Sequence, residues 1–285
     1  MCTLNFITNS IITMIKEEKN MTDVFEGKIC IVTGGTSGIG FAVSEALLKR
    51  DAVVIVADIS EKSLTTSRER LSSFKNARFK VVDVTNYDDI KNLVDDVVNQ
   101  FGRIDYMFNN AGIGGTYQFE KVTLDTWKKV IDVNLWGVIH GIHAVFPVMA
   151  KQGFGHIVNT SSIAGLLAPP YQAVYCASKF AVVGMTEALR YELEHLGIAF
   201  SSICPGNVAT EIFGGAEPPK DAISVGEAAR FILEGVERKD GLIVFPEPTK
   251  QTYLELKADQ EKMDAVMKSM ADDRRRAYES GGNYY

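Results

Sequence analysis

Tyr175 and Lys179 stand four residues apart in the segment Tyr175-Cys-Ala-Ser-Lys179, which reads as helix. Residues at that spacing share one helix face. A phenol with its ordinary pKa of about 10 is a poor proton donor or acceptor near neutrality, and an adjacent ammonium favours the phenolate and draws the value down. The pair is therefore a candidate general acid/base. A tyrosine and a lysine at this spacing also occur as a packing or solvated pair on ordinary helices, so the assignment depends on what surrounds them.

A second group lies upstream. The run Thr33-Gly-Gly-Thr-Ser-Gly-Ile-Gly40 follows the apolar residues 29–32 and precedes a helical pattern with Ala42, Val43, Ala46 and Leu47 apolar. Strand, glycine-rich turn and helix in that order set backbone N–H groups and a helix dipole against an anionic pyrophosphate. The spacing departs from the usual G-x-G-x-x-G turn, and Phe41 stands where a Walker A loop requires lysine. Glycines that serve only a tight turn are the other reading. Asp58 ends the next apolar run, 18 residues after Gly40. There a carboxylate accepts hydrogen bonds from adenosine ribose hydroxyls and repels a 2′-phosphate. The glycine turn holds no arginine or lysine, and Lys62 is the only nearby cation, so NAD is the expected cofactor and NADP is disfavoured.

The elements that must position these residues alternate regularly. Apolar runs at 29–32, 53–57, 79–82, 104–108, 155–159, 199–203 and 242–245 read as strands, and helical patterns fall near 60–73, 87–101, 124–149, around Tyr175 and at 225–237. Repeated βα units with wholly apolar strands predict a doubly wound α/β Rossmann fold, a seven-stranded, mostly parallel sheet with helices on both faces. One domain over 25–247 is expected, after a disordered lead over 1–24; Met21 opens a more conventional N-terminus, so residues 1–20 read as a disordered lead or a misassigned start. A charged helical extension over 248–285 follows. In it Leu256, Met263, Met267 and Met270 recur near helical spacing, fitting a helix that lies on the body, on a partner subunit or loosely in solvent.

Composition narrows the function classes. A hydrophobic content of 46% over 285 residues is ample for a core, and a net charge of -6 argues against a nucleic-acid binder. Arg274-Arg275-Arg276 is a local exception that reads as a solvated helix end. The four cysteines form no C-x-x-C pattern and imply no disulfide framework. His140 and His143 have metal-like spacing without a third ligand nearby, so no metal is expected. No apolar run approaches the roughly 20 residues a membrane span needs, and the start lacks a basic leader; the cytoplasm is the expected location.

Taken together, Thr33-Gly-x-x-x-Gly-x-Gly40, Asn109-Asn-Ala-Gly112 and Tyr175-x-x-x-Lys179 resemble the short-chain dehydrogenase/reductase family, over about residues 25–247. The resemblance implies a nicotinamide-dependent oxidoreductase that interconverts a secondary alcohol and a ketone, with Tyr175 as general acid/base. It gives Lys179 two tasks, stabilising the phenolate and holding the cofactor ribose. It selects Ser162 over Ser161, because the family's serine precedes its tyrosine by 13 residues. It also selects Asn134, matching a helix asparagine that holds a water between lysine and solvent.

Implied cofactor contacts are Gly34, Thr36, Ser37, Gly38, Ile39 and Gly40 in the turn, then Asp58 and Ile59, with Asp83 and Val84 by the adenine. Asn110, Ala111 and Gly112 follow, and with Tyr175 and Lys179 come Pro205, Gly206, Val208 and Thr210 near the nicotinamide. Helices around 127–149 and 177–196 are implied to pair into a homodimer or a D₂ homotetramer. Ile113, Tyr117, Phe119, Leu166, Leu167, Tyr171, Ile212 and Phe213 outline an apolar pocket for a hydrophobic small-molecule substrate, such as a steroid or a long-chain or cyclic alcohol. Two other classes share part of the pattern. A sugar-nucleotide epimerase or dehydratase usually carries a G-x-x-G-x-x-G turn and a larger C-terminal domain, and a non-catalytic NAD-binding scaffold would have no use for the intact Ser162, Tyr175 and Lys179 set.

Overall fold

Strand β1 (Ile29–Thr33) is buried along its whole length because both of its faces are covered. Successive side chains point to opposite faces: Cys30 and Val32 enter one core, Ile29 and Ile31 the other. Strand β2 (Val53–Asp58) divides in the same way, Val54 and Val56 against Ile55 and Ala57. The computed structural model describes residues 23–213 and 217–281. Residues 1–22, and with them Cys2 and nearly all of the expected lead, lie outside the described residues.

The remaining strands are β3 (Ala77–Val81), β4 (Tyr106–Asn109), β5 (Gly155–Thr160), β6 (Ile198–Pro205) and β7 (Leu242–Phe245). Their order is β3-β2-β1-β4-β5-β6-β7, with every pairing parallel. Helices α1 (Gly38–Leu48), α2 (Glu61–Arg70) and α7 (Val225–Glu237) cover one face; α3 (Tyr87–Phe101), α5 (Gly137–Gln152) and α6 (Ala173–Leu193) cover the other. The order reverses between β1 and β4, so the carboxyl ends of those two strands open a crevice. Strand β3 begins two residues earlier than its apolar run indicates. It is an edge strand whose Arg78 and Lys80 face solvent, a composition that protects an unpaired edge.

The expected helix over 124–149 is real but not uniform. Helix α4 (Leu124–Ile131) passes through a π-turn at Asp132–Trp136, marked by the bond from Gly137 N–H to the Asp132 carbonyl, before α5 begins. Contrary to the reading of the sequence, Leu124–Gln152 is by length and composition apolar enough to cross a membrane. Here Val138, Val145 and Met149 are instead buried in the core beside the sheet.

The C-terminal extension forms α8 (Glu247–Ala258) and α9 (Gln260–Glu279) and docks on the body: Leu167 packs with Tyr253 and Leu256, and Met263 and Met267 pack against that cluster. Arg274 is not the solvated helix end the arginine run suggested. It is only 4% exposed, and its Nη1 donates to the Pro170 carbonyl.

Candidate functional site

The crevice at the strand ends is a cleft of 510 Å3 running from Asp58 and Ile59 to Tyr175 and Lys179. Its floor is the glycine turn. Gly34 has φ +59°, and a Cβ there would stand 2.8 Å from the Ala111 Cα; Gly38 has φ +51°, with Thr210 Cγ2 3.2 Å from a Cβ. Glycine is required at both, by backbone conformation and by close approach. Ser37 begins α1 without a side-chain cap, whereas Ser60, Asn86, Thr123 and Ser224 cap their own helices. The first N–H groups of α1 therefore face the cleft unmatched by a side chain, as an anionic diphosphate requires. A group with two ribose hydroxyls at one end, a diphosphate in the middle and a flat ring at the other fits these walls.

Asp58 is held from both sides. Its Oδ2 accepts from the Thr36 hydroxyl at 2.5 Å and its Oδ1 from the Ser60 N–H at 3.1 Å. Asn109–Gly112 ties the central strands: Asn110 Nδ2 donates to the carbonyls of Thr33 and Gly34, and the Thr33 hydroxyl accepts from the N–H groups of Asn110 and Ala111. Asn109 donates to Asn159 on the neighbouring strand. Asp83 and Val84 line the cleft beside them. His140 Nδ1 lies 2.8 Å from the Val84 carbonyl, and among the described residues no group of acidic, histidine or cysteine side chains is placed to hold a metal.

At the other end Tyr175 and Lys179 occupy the buried face of α6, one turn apart. Lys179 Nζ donates to the Thr160 carbonyl at 2.9 Å and lies 5.6 Å from the centre of the Tyr175 ring. Ser162 follows β5, its hydroxyl accepting from the Ala164 N–H at 3.1 Å, and lines a cavity together with Tyr175. Burial pushes the Tyr175 phenol up to about 12, against the influence of the Ser162 hydroxyl, which favours the phenolate. Burial likewise pulls the Lys179 ammonium down to about 8. The lowered phenol expected from the sequence is thus reversed, with desolvation by burial the largest cause. Ser161 also lines the cleft, but its hydroxyl is engaged, donating to the Lys179 carbonyl at 2.9 Å.

Asn134 sits in the π-turn, a distortion that frequently marks functional helices. Fully buried, it accepts from the Ile113 N–H at 2.8 Å and donates to the Ile113 carbonyl at 2.9 Å and to Ser178 Oγ at 3.2 Å. Ser178 donates in turn to the Tyr175 carbonyl. Because Gly112 has no side chain, Asn134 Oδ1 and Lys179 Nζ both approach its α-carbon; a Cβ would lie 3.3 and 3.5 Å from them. Asn134 therefore fixes the backbone between the cleft and the tyrosine, through amide bonds that the sequence resemblance does not include.

A second cavity, of 700 Å3, shares Tyr175, Pro205, Thr210 and Ile212 with the first. Ser162, Tyr117, Leu167 and Phe213 line it as expected. Phe119 does not and is 69% exposed, Leu166 packs into the cluster under α8, and Tyr171 stacks on Tyr278. Part of the segment expected beside them, 214–216, lies outside the described residues.

Four expected cofactor contacts stand elsewhere. Thr36 is turned inward onto Asp58, and Gly40 is packed so that a Cβ would meet the Gly34 carbonyl at 2.1 Å. Gly206 and Val208 line the second cavity. The sequence reading missed Val82, Val133 and Thr160 in the cleft wall; Val82 and Thr160 follow only from knowing where β3 and β5 end, and Val133 from the π-turn that carries it.

A family model for short chain dehydrogenases matches residues 28–221. The chain is 35% identical over 207 residues to 3beta-hydroxysteroid dehydrogenase 2 of Eggerthella lenta, covering 72% of this chain and 80% of that protein. It is 39% identical over 186 residues to a 3-oxoacyl-[acyl-carrier-protein] reductase of Thermotoga maritima, covering 65% and 76%. A short-chain dehydrogenase/reductase from Burkholderia phymatum in complex with NAD superposes with a TM-score of 0.72 at 26% identity, covering 92% of this chain and 97% of that one. With its glycine turn, its Tyr175–Lys179 face and a family match over most of its length, the chain belongs to the short-chain dehydrogenase/reductase family.

Proposed function

We propose that the chain is an NAD(H)-dependent oxidoreductase interconverting an apolar secondary alcohol and its ketone. One observation carries the reading: Tyr175 stands where two cavities meet, one leading to the fixed carboxylate of Asp58 and the other walled by Leu167, Leu256 and Met267. The nicotinamide cofactor, when bound, supplies or accepts the hydride. Ser162 holds the substrate oxygen beside the Tyr175 hydroxyl, and in reduction Tyr175 donates its proton to that oxygen. A phenol held at about 12 is protonated at neutral pH, the form that reduction requires. In oxidation the phenolate is the base, and the Lys179 ammonium is the charge available to favour it.

Two named relatives act on a hydroxysteroid and on a 3-oxoacyl group, which accords with an apolar hydroxyl or oxo substrate. Residues 25–247 form the catalytic unit in this reading. The free, buried Cys30, Cys176 and Cys204 accord with a reducing compartment such as the cytoplasm. A panel of apolar secondary alcohols and ketones followed by NADH absorbance tests the proposal; turnover of ketones with NADH is expected, and none across the panel would defeat it.

Assembly is part of the same reading. Phe180 and Tyr191 on α6 are 43% and 64% exposed, and Leu124 and Trp136 on the α4–α5 helix 86% and 49%. Large exposed apolar side chains on two neighbouring helices are surface that a partner can cover. A dimer or D₂ tetramer with two-fold pairing supplies it. Light scattering at micromolar concentration should give a particle two or four times the 31.4 kDa chain, and a monomer would contradict the pairing.

A further inference from the structure

We infer that the C-terminal helix α9 is the specificity-determining wall of the substrate cavity, with Met267 and Met270 setting the size of the group accepted beside Tyr175. The inference rests on the reading of the 700 Å3 cavity as the substrate site. Helix α9 lies wholly beyond β7, the last strand of the sheet, so this wall belongs to the C-terminal extension. Its inward face is continuous: Met263, Met267, Met270, Arg274 and Tyr278 recur at three- and four-residue steps and are among the partly or fully buried positions of a largely charged helix.

Met267, Met270 and Arg274 line the cavity. At the C-terminal end the Tyr278 hydroxyl donates to the Thr116 carbonyl at 3.3 Å, its ring stacks on Tyr171 with centroids 5.3 Å apart, and Arg274 donates to the Pro170 carbonyl. At the N-terminal end Met263 and Met267 pack on Leu167, Tyr253 and Leu256. Thr116 and Pro169 belong to the segments that line the cavity opposite α9. The helix is thus tied to the loops that hold the reacting end, while Met267 and Met270 face the space between. Methionine is unbranched and adaptable, which suits a wall that closes on bulky apolar substrates of varied outline, where a small alcohol would leave most of the cavity unfilled.

The test uses the full chain and a homologous series of 2-ketones from small to bulky. Met270→Trp should lower kcat/KM for the bulkiest members by about 10-fold or more while the smallest stay within about twofold, since a change of a few methylene volumes in an apolar pocket discriminates on that scale. Met267→Ala should shift the optimum toward bulkier ketones. Unchanged relative kcat/KM along the series in both variants would overturn the assignment. Unchanged NADH affinity and Tm establish that each variant is folded. Binding of the uncharged dye Nile red, read by fluorescence, gives a second readout that needs no turnover. Met270→Trp should weaken it about 10-fold. If the wild type turns over no ketone, the proposed reaction fails, and the wall is then judged on the dye, whose unchanged affinity in both variants would overturn it.

Discussion

Tyr175→Phe is expected to abolish turnover to within about 1% of wild type or less, because positioned acid/base groups contribute roughly 100- to 10,000-fold. The ring should remain in place: it packs with Ala164 and Cys176 in a small buried cluster and is only 9% exposed. Only the hydroxyl that exchanges the proton is removed. NADH affinity should therefore stay within about twofold, since the cleft contacts at Asp58, the glycine turn and Lys179 are untouched. Parallel measurement of kcat and of NADH binding by fluorescence separates the two effects. A folded variant with substantial turnover would remove Tyr175 from its role.

Cofactor choice should follow Asp58. Its carboxylate is fixed by Thr36 and by the Ser60 N–H and lines the cleft. It offers charged acceptors to ribose hydroxyls and repels a 2′-phosphate. Hydrogen bonds to a charged group contribute about 1.5–3 kcal/mol, so wild-type enzyme should prefer NAD over NADP by roughly 10- to 100-fold or more in kcat/KM. Asp58→Ala should narrow that ratio from both directions, weakening NAD and relieving NADP. Adding Ile59→Arg should move it further, because Ile59 is 64% exposed at the cleft wall and a guanidinium there can grip the phosphate with two bonds. An initial preference for NADP, or a ratio unmoved by Asp58→Ala, would reduce Asp58 to a strand-end residue.

The features legible in the sequence are those written as local pattern. Apolar strands covered on both faces declare the parallel sheet, and the glycine turn, Asp58 and the Tyr175–Lys179 spacing all sit at the carboxyl ends of strands or on the helix beside them. What pattern does not carry is direction in space. Thr36 and Gly40 belong to the glycine turn, yet the first points at Asp58 and the second is consumed by close packing on Gly34. The π-turn adds one residue to a helix whose periodicity otherwise looks unbroken, and it aims Asn134 at Ile113. A charged run concealed buried Arg274, whose surroundings come from residues about a hundred positions earlier. Proximity of tyrosine and lysine was readable; the depth of their burial, which sets both pKa values, was not.

In the proposed reaction hydride passes between a nicotinamide in the cleft and the carbon whose oxygen Tyr175 protonates. The ketone panel run with NADH deuterated at the transferring ring position, with the alcohol product analysed by mass spectrometry, follows that transfer directly. One deuterium on the carbinol carbon of the product and consumption of one NADH per alcohol formed are expected. Turnover that leaves the deuterium on the cofactor, or NADH that is bound but never consumed by any apolar ketone, would contradict the proposed reaction.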